Sequence, residues 1–136
     1  MSEELKKKFR RVLEESWNKG NTDGMNELYA ADFVYHRPPF ADIKGIEAGK
    51  QDVADTFTAF SDIEFTIHEM VMVGNTTFTR FTWKAKHTGQ YPSTSKEVTL
   101  VGCSVSHWEN GKVIEEWEFS DYLGYYTKLG VIPPIE

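Results

Sequence analysis

The feature that most constrains this chain is a change of period near its middle. Up to about residue 60 the apolar side chains recur at helical spacing; from Asp62 onward they alternate. A 3.6-residue period buries a stripe on a helix, and a two-residue period buries one face of a sheet. The chain must therefore pack helices from its first half against a sheet built mainly from its second, which is an α+β order.

Leu5, Phe9, Val12, Leu13 and Trp17 predict a helix from Ser2 to Lys19, stopped by Gly20. Asn21 or Thr22 caps a short second helix with Met25, Leu28 and Tyr29 inward. Phe33-Val34-Tyr35-His36 is a short strand ended by Pro38-Pro39. Ile46, Val53, Ala54, Phe57 and Phe60 mark a third helix, despite Gly49. Strands follow at Ile63–Val73, Thr77–Thr88, Glu97–Trp108 and Lys112–Ser120, then a helix at Tyr122–Leu129. The expected fold is a curved antiparallel sheet wrapped around three N-terminal helices. It forms one domain over residues 1–136 with an internal pocket.

Several function classes are excluded by composition. The net charge of −6 argues against a nucleic-acid partner. The one basic run, Lys6-Lys7-Lys8 with Arg10-Arg11, reads as the solvated face of the first helix. No stretch approaches the ~20 apolar residues of a membrane span, and the N-terminus carries no secretory pattern, so a cytoplasmic location is expected. The lone Cys103 allows no internal disulfide and reads as core. The four histidines lack HxH or HxxxH spacing, so no metal site is expected; there is no GxGxxG and no phosphate loop. Aromatic residues reach 14%, enough both to build a core and to line a pocket for a flat organic ligand.

The turn at Glu109-Asn110-Gly111 decides which side chains share a face. A two-residue Asn-Gly loop would mix apolar and charged residues on both faces. A three-residue loop sets Trp108 opposite Lys112 and segregates them. One face then carries Val101, Cys103, Val105, His107, Val113, Glu115, Trp117, Phe119 and Asp121, with Asp121 across from Thr99. The other carries Ser104, Ser106, Trp108, Lys112, Glu116 and Glu118. The apolar set is expected to line the pocket, and Trp108 with Leu100 to face outward. The preceding strand offers Phe81, Trp83, Ala85 and His87 to the pocket.

Asp121 and His87 are thus placed near one end of an apolar pocket, with Tyr35 and His36 as additions. An apolar surround would raise the pKa of Asp121 and suit it to proton transfer. The competing reading is that Asp121 only caps the last helix. His107 reads as a rim residue, Glu115 as a carboxylate that needs a partner or faces the pocket to meet substrate, and His68 is unassigned.

The chain resembles the SnoaL-like polyketide cyclase family, within the nuclear transport factor 2-like α+β cone superfamily. The likeness runs over nearly the whole chain, through DFVYHRPP, KGIEAGKQDV and FSDIEFTIHEMVMVGN. It is strongest in KHTGQ and in ENGKVIEEWEFSDYLGYYTKLGV. The resemblance implies a deep pocket, a homodimer formed through the sheet face, no metal or organic cofactor, and ring closure by intramolecular aldol condensation. It implies acid/base work by Asp121, with His87 and His36 at pocket positions. The expectation is a cofactor-independent acid/base enzyme on a small apolar carbonyl compound, its cavity shaped by Trp17, Phe57, Trp83, Trp117 and Phe119. The alternatives are a non-catalytic binding module, or an isomerase, dehydratase or hydrolase on the same fold. The loop from Gly89 to Lys96 is expected to edge the pocket mouth.

Overall fold

In the computed structural model, residues 3–89 and 95–133 are described. Helix α1 (Glu3–Lys19) buries Phe9 and Val12 and ends where Gly20 turns left-handed at φ +72°. Gly20 and Asn21 donate back to the Ser16 and Glu15 carbonyls, satisfying groups the helix end leaves open. A single turn, α2 (Met25–Leu28), leads into β1 (Tyr29–His36), which starts four residues earlier than the sequence suggests. Strand β2 (Ile43–Lys44), helix α3 (Ile46–Ala59), strands β3 (Phe60–Val73), β4 (Thr76–His87), β5 (Glu97–Glu109) and β6 (Lys112–Ser120), and helix α4 (Tyr122–Leu129) follow among the described residues. Among the described residues, no helix is long and apolar enough to cross a membrane.

The strands form one six-stranded sheet in the order β2-β1-β6-β5-β4-β3. All pairings are antiparallel except β1 with β6, a departure from the expected all-antiparallel sheet. That parallel pair follows from the order of elements. β1 lies far from β6 in the chain, with β2, α3 and three strands between them, so no hairpin joins the two. Strand β3 is an edge, and α1 covers it. Asn18 accepts from the Phe65 N–H at 2.7 Å and donates to the Phe65 carbonyl at 3.0 Å; Arg10 donates to the Ile67 carbonyl at 3.1 Å. Side chains of the helix stand in for a neighbouring strand, which blunts the edge.

The main core lies beside the sheet's concave face. Phe9 meets Trp108 edge-on at 5.0 Å between ring centroids, with Tyr29, Phe33, Met70 and Val113 around them. The Trp108 indole donates to Thr77 Oγ1 at 3.1 Å, so its one polar atom is satisfied inside. Trp108 and Leu100 are therefore interior residues, contrary to the outward positions expected for them.

The β5–β6 hairpin explains that reversal. Glu109 pairs with Lys112 across a two-residue Asn110-Gly111 turn, both turn residues at positive φ, as a type I′ hairpin requires. A bulge between His107 and Trp108 then shifts the register, so that Ser106 faces Glu116 and Val105 faces Trp117. Beyond the bulge the same residues share a face as the sequence predicts; on its hairpin side Val113 joins Trp108 in the core and Lys112 pairs with Glu109, exchanging the faces expected for them. The assignment of inside and outside is inverted. Ser104, Ser106, Glu116 and Glu118 point inward, while Val101, Trp117 and Phe119 lie on the outer surface.

Candidate functional site

A cavity of about 250 Å³ opens between the concave face of the sheet and the helices. Leu13 and Trp17 of α1 form one wall, and Asp52 and Thr56 of α3 another. The floor is the inner face of five strands: Phe60 and Phe65 of β3, Thr79, Phe81 and Trp83 of β4, Leu100 and Ser104 of β5, Glu116 and Glu118 of β6, and Tyr35 of β1. Tyr122, Tyr125 and Tyr126 of α4 close the far end with Phe40 and Arg37.

Cross-strand register organises the polar part of this floor. Thr77 lies opposite Ser106, and Ser106 opposite Glu116; Thr79 lies opposite Ser104, and Ser104 opposite Glu118. Two adjacent rungs of hydroxyls thus run across the sheet, each ending in a carboxylate. On either side the surface is apolar, with Phe65, Phe81, Trp83 and Leu100.

The two carboxylates have different surroundings. Tyr35 donates a short hydrogen bond to Glu118, and Ser120 and Tyr122 donate to its other oxygen at 2.5 and 2.8 Å. Burial, then the Glu118 charge, raises the pKa of both tyrosines well above the phenol range, so both remain donors. Glu118 thereby ties β1 and α4 to β6. Glu116 is buried and accepts from Ser106 at 2.5 Å. Desolvation pushes its pKa up to about 7, against the lowering effect of Ser106 and with a further push from Glu118. A carboxyl poised near neutrality in a cavity is suited to give and take protons. At the α3 side Arg37 donates to Asp52 at 2.7 Å; burial outweighs Arg37 and raises the Asp52 pKa.

The sequence-predicted residues divide sharply. Trp17, Tyr35 and Trp83 line the cavity. His87 is buried on the same inner face of β4, 5.3 Å from the Phe60 ring, but it does not line the cavity. Phe57 packs beside Gly20 instead. Asp121 is exposed at the N-cap of α4, where it accepts from the Gly124 N–H at 2.9 Å. The capping reading describes its contacts, and its carboxylate does not enter the cavity. Its backbone pairs with Val101 rather than Thr99. Glu115, Trp117, Phe119 and His36 also lie outside. His36 bridges Glu115 at 2.6 Å and Asp42 at 2.9 Å and stacks on Trp117 at 5.2 Å. Those two carboxylates, Glu115 foremost, raise its pKa. His107 packs edge-on against Trp117, His68 bonds Thr82 on the surface, and Cys103 is exposed rather than core.

Glu116, Glu118, Asp52 and Arg37 escaped the sequence reading. One signal was present. Trp83, correctly placed inside, pairs with Leu100, so the even-numbered residues of β5 follow it inward. The spacer between β4 and β5 hides that parity, and its residues 90–94 lie outside the described ones, as does most of the loop expected at the pocket mouth. Among the described residues, no group of three or more His, Cys, Asp and Glu side chains is placed to hold a metal ion.

Comparison with known proteins follows this geometry. No curated protein sequence matches the chain. Among solved structures, it superposes on a protein from Jannaschia sp. CCS1 described as a SnoaL-like polyketide cyclase. The TM-score is 0.82 at 20% identity, over 95% of this chain and 93% of that one. IdmH from Streptomyces antibioticus, described as a polyketide cyclase, gives 0.77 at 23% identity, over 93% and 98%. An LEH-like epoxide hydrolase from M. tuberculosis gives 0.73 at 17% identity, over 94% and 90%. These likenesses establish the fold, the curved and unclosed sheet of the nuclear transport factor 2-like cone. The sequence profile of SnoaL-like polyketide cyclases matches residues 7–129. The chain belongs to the SnoaL-like polyketide cyclase family.

Proposed function

We propose that the protein is a cofactor-independent acid/base enzyme acting on a small, largely apolar carbonyl compound, with Glu116 as the proton-transfer group. The observation that carries this reading is the Glu116 carboxyl, buried on the cavity floor with its pKa near 7. In the proposed step the carboxylate takes a proton from the carbon beside the carbonyl. The C–H electron pair moves into an enolate, whose carbon then attacks a second carbonyl of the same molecule. The new alkoxide recovers the proton from Glu116. This is the aldol-type ring closure suggested by the family name, and a buried donor at the developing oxygen would lower its barrier. Trp17, Tyr35 and Trp83 would hold the ring. The acid/base role first given to Asp121 passes in this reading to Glu116, because Glu116 lines the cavity and Asp121 does not.

The test is deuterium uptake from D2O at the carbon beside the carbonyl of small aryl ketones, followed by NMR. Replacing Glu116 with Gln is expected to slow enzyme-dependent exchange by about 100-fold or more while the fold persists. Unchanged exchange in Glu116→Gln would sink the assignment. A second reading, binding without chemistry, is favoured by the buried polar atoms around the cavity that lack protein partners. It predicts saturable ketone binding with no exchange in the unaltered protein.

The outer sheet face suggests a partner as well. Val71, Phe78, Val105 and Trp117 lie in one cross-strand row, and Phe119 lies in the next. Phe78 and Phe119 are 48% and 53% exposed, a surface that a second copy of the chain would cover. We propose a homodimer through this face.

A further inference from the structure

Among the described residues, three buried side-chain polar atoms have no hydrogen-bond partner: Arg37 Nε, Thr79 Oγ1 and Trp83 Nε1. All three belong to side chains lining the same cavity. Buried polar groups are nearly always paired, because an unpaired one forfeits its hydration without compensation. Their chemistry also has a direction. The indole N–H and the guanidinium Nε–H donate only, so each calls for an acceptor, while the threonine hydroxyl serves either way.

Their placement adds a geometric demand. Trp83 stands on β4 and Arg37 just past the end of β1, and the sheet order sets three inter-strand steps between those strands. That is ~14 Å along a flat sheet and less across a curved one. Arg37, next after the His36–Trp117 pair, stands at the β1 end of the Glu118–Ser104–Thr79 rung, and Trp83 stands on β4 four residues beyond Thr79, so the two donors lie well apart on the cavity wall. The charge balance is asymmetric. Arg37 is already paired with Asp52 at 2.7 Å, and Glu116 and Glu118 also line the cavity. An incoming carboxylate would meet three acidic side chains and one committed cation.

We propose that Trp83 and Arg37 anchor two acceptor oxygens on opposite edges of one ligand, and that this ligand is uncharged. The inference rests on the reading of the cavity as a site for a small carbonyl compound, and it goes further by naming the donors and excluding acids. Trp83 and Arg37 position the ligand over the floor; Glu116 acts on it.

Three para-disubstituted benzenes of similar outline separate the possibilities: 1,4-diacetylbenzene, 1,4-diethylbenzene and 4-acetylbenzoate, titrated into the full chain by calorimetry. The diketone is expected to bind at least about tenfold more tightly than the hydrocarbon or the acid. Trp83→Phe keeps a flat apolar ring and removes the N–H. It is expected to weaken the diketone about fivefold and leave the hydrocarbon unchanged. Equal binding of diketone and hydrocarbon, tighter binding of the acid, or no diketone binding at millimolar concentration overturns the proposal. So does an equal loss for both ligands in a folded Trp83→Phe. Should that variant not fold, Thr79→Val and the three-ligand comparison on the unaltered protein decide. Deuterium exchange at the acetyl methyls reports Glu116 separately. Discrimination without exchange leaves the anchors standing and removes the acid/base reading; exchange without discrimination does the reverse.

Discussion

The concave and convex faces of the same sheet invert the usual expectation. The outer face of β3 to β6 carries Val71, Phe78, Val101 and Phe119, each at least 45% exposed. The inner face carries Glu116, Glu118, Ser106, Thr77 and Thr79, each at most 8% exposed. A strand that buries its carboxylates and shows water its aromatics is costly for an isolated domain. It makes sense where the interior is a working cavity and the exterior is itself covered. The two faces therefore explain each other. Hydroxyls arranged by cross-strand register offset the burial of the acids, and the apolar residues displaced from the interior lie on the outer surface, where the proposed homodimer would cover them.

That comparison fails if either half fails, and the largest effect is expected at Glu116. Its pKa is raised from 4.5 to about 7, so the folded protein holds the proton more tightly than the unfolded chain. Its stabilising contribution is full below pH 4.5 and is lost as pH rises through about 7, a fall of about 3 kcal/mol. Denaturant titrations at pH 4.5 and 7.5 should show that slope, and Glu116→Gln should flatten it. The same group predicts that exchange activity rises with pH around 7, since the base acts when deprotonated. A pH-independent rate in this window would place the proton elsewhere.

Next is the convex face. Phe78→Lys is expected to weaken self-association by about 2 kcal/mol or more, read by light scattering or by sedimentation velocity across a concentration series. It should leave ketone binding in the cavity untouched. A monomer in the unaltered chain at high concentration would leave the exposed aromatics without the proposed cover. The smallest effect is at Asp121. Replacing it with Ala removes the α4 cap and should cost about 1 kcal/mol in thermal or denaturant stability. Exchange should be nearly unchanged. A collapse of exchange in that variant would restore the role that the family resemblance implies for it and contradict the cavity assignment.

Much of the architecture was legible in the residues, and the reason is local. The stripe of Leu5, Phe9, Val12 and Leu13 and the alternation from Phe81 to His87 each depend on one element's own geometry. Gly20 and Gly130 end their helices in the left-handed region that favours glycine. Even the partition of β5 and β6 into two sets of side chains survived the bulge beside Trp108, because a two-residue period records which neighbours share a face.

Which of those faces looks inward was decided only in three dimensions. The alternation says that two sets exist, and the apolar set is the natural choice for the inside. The choice is reversed by long-range pairings: Trp83 with Leu100, Tyr35 with Glu116, Trp108 with the helix α1 residue Phe9. Those pairings bury Glu116 and Glu118 and leave Asp121 in solvent, although all three carboxylates lie within six residues of sequence. Sequence thus determined the elements and their periods, because these follow from backbone geometry residue by residue. Tertiary structure alone chose the acid that the cavity encloses, because that depends on how distant strands are set side by side.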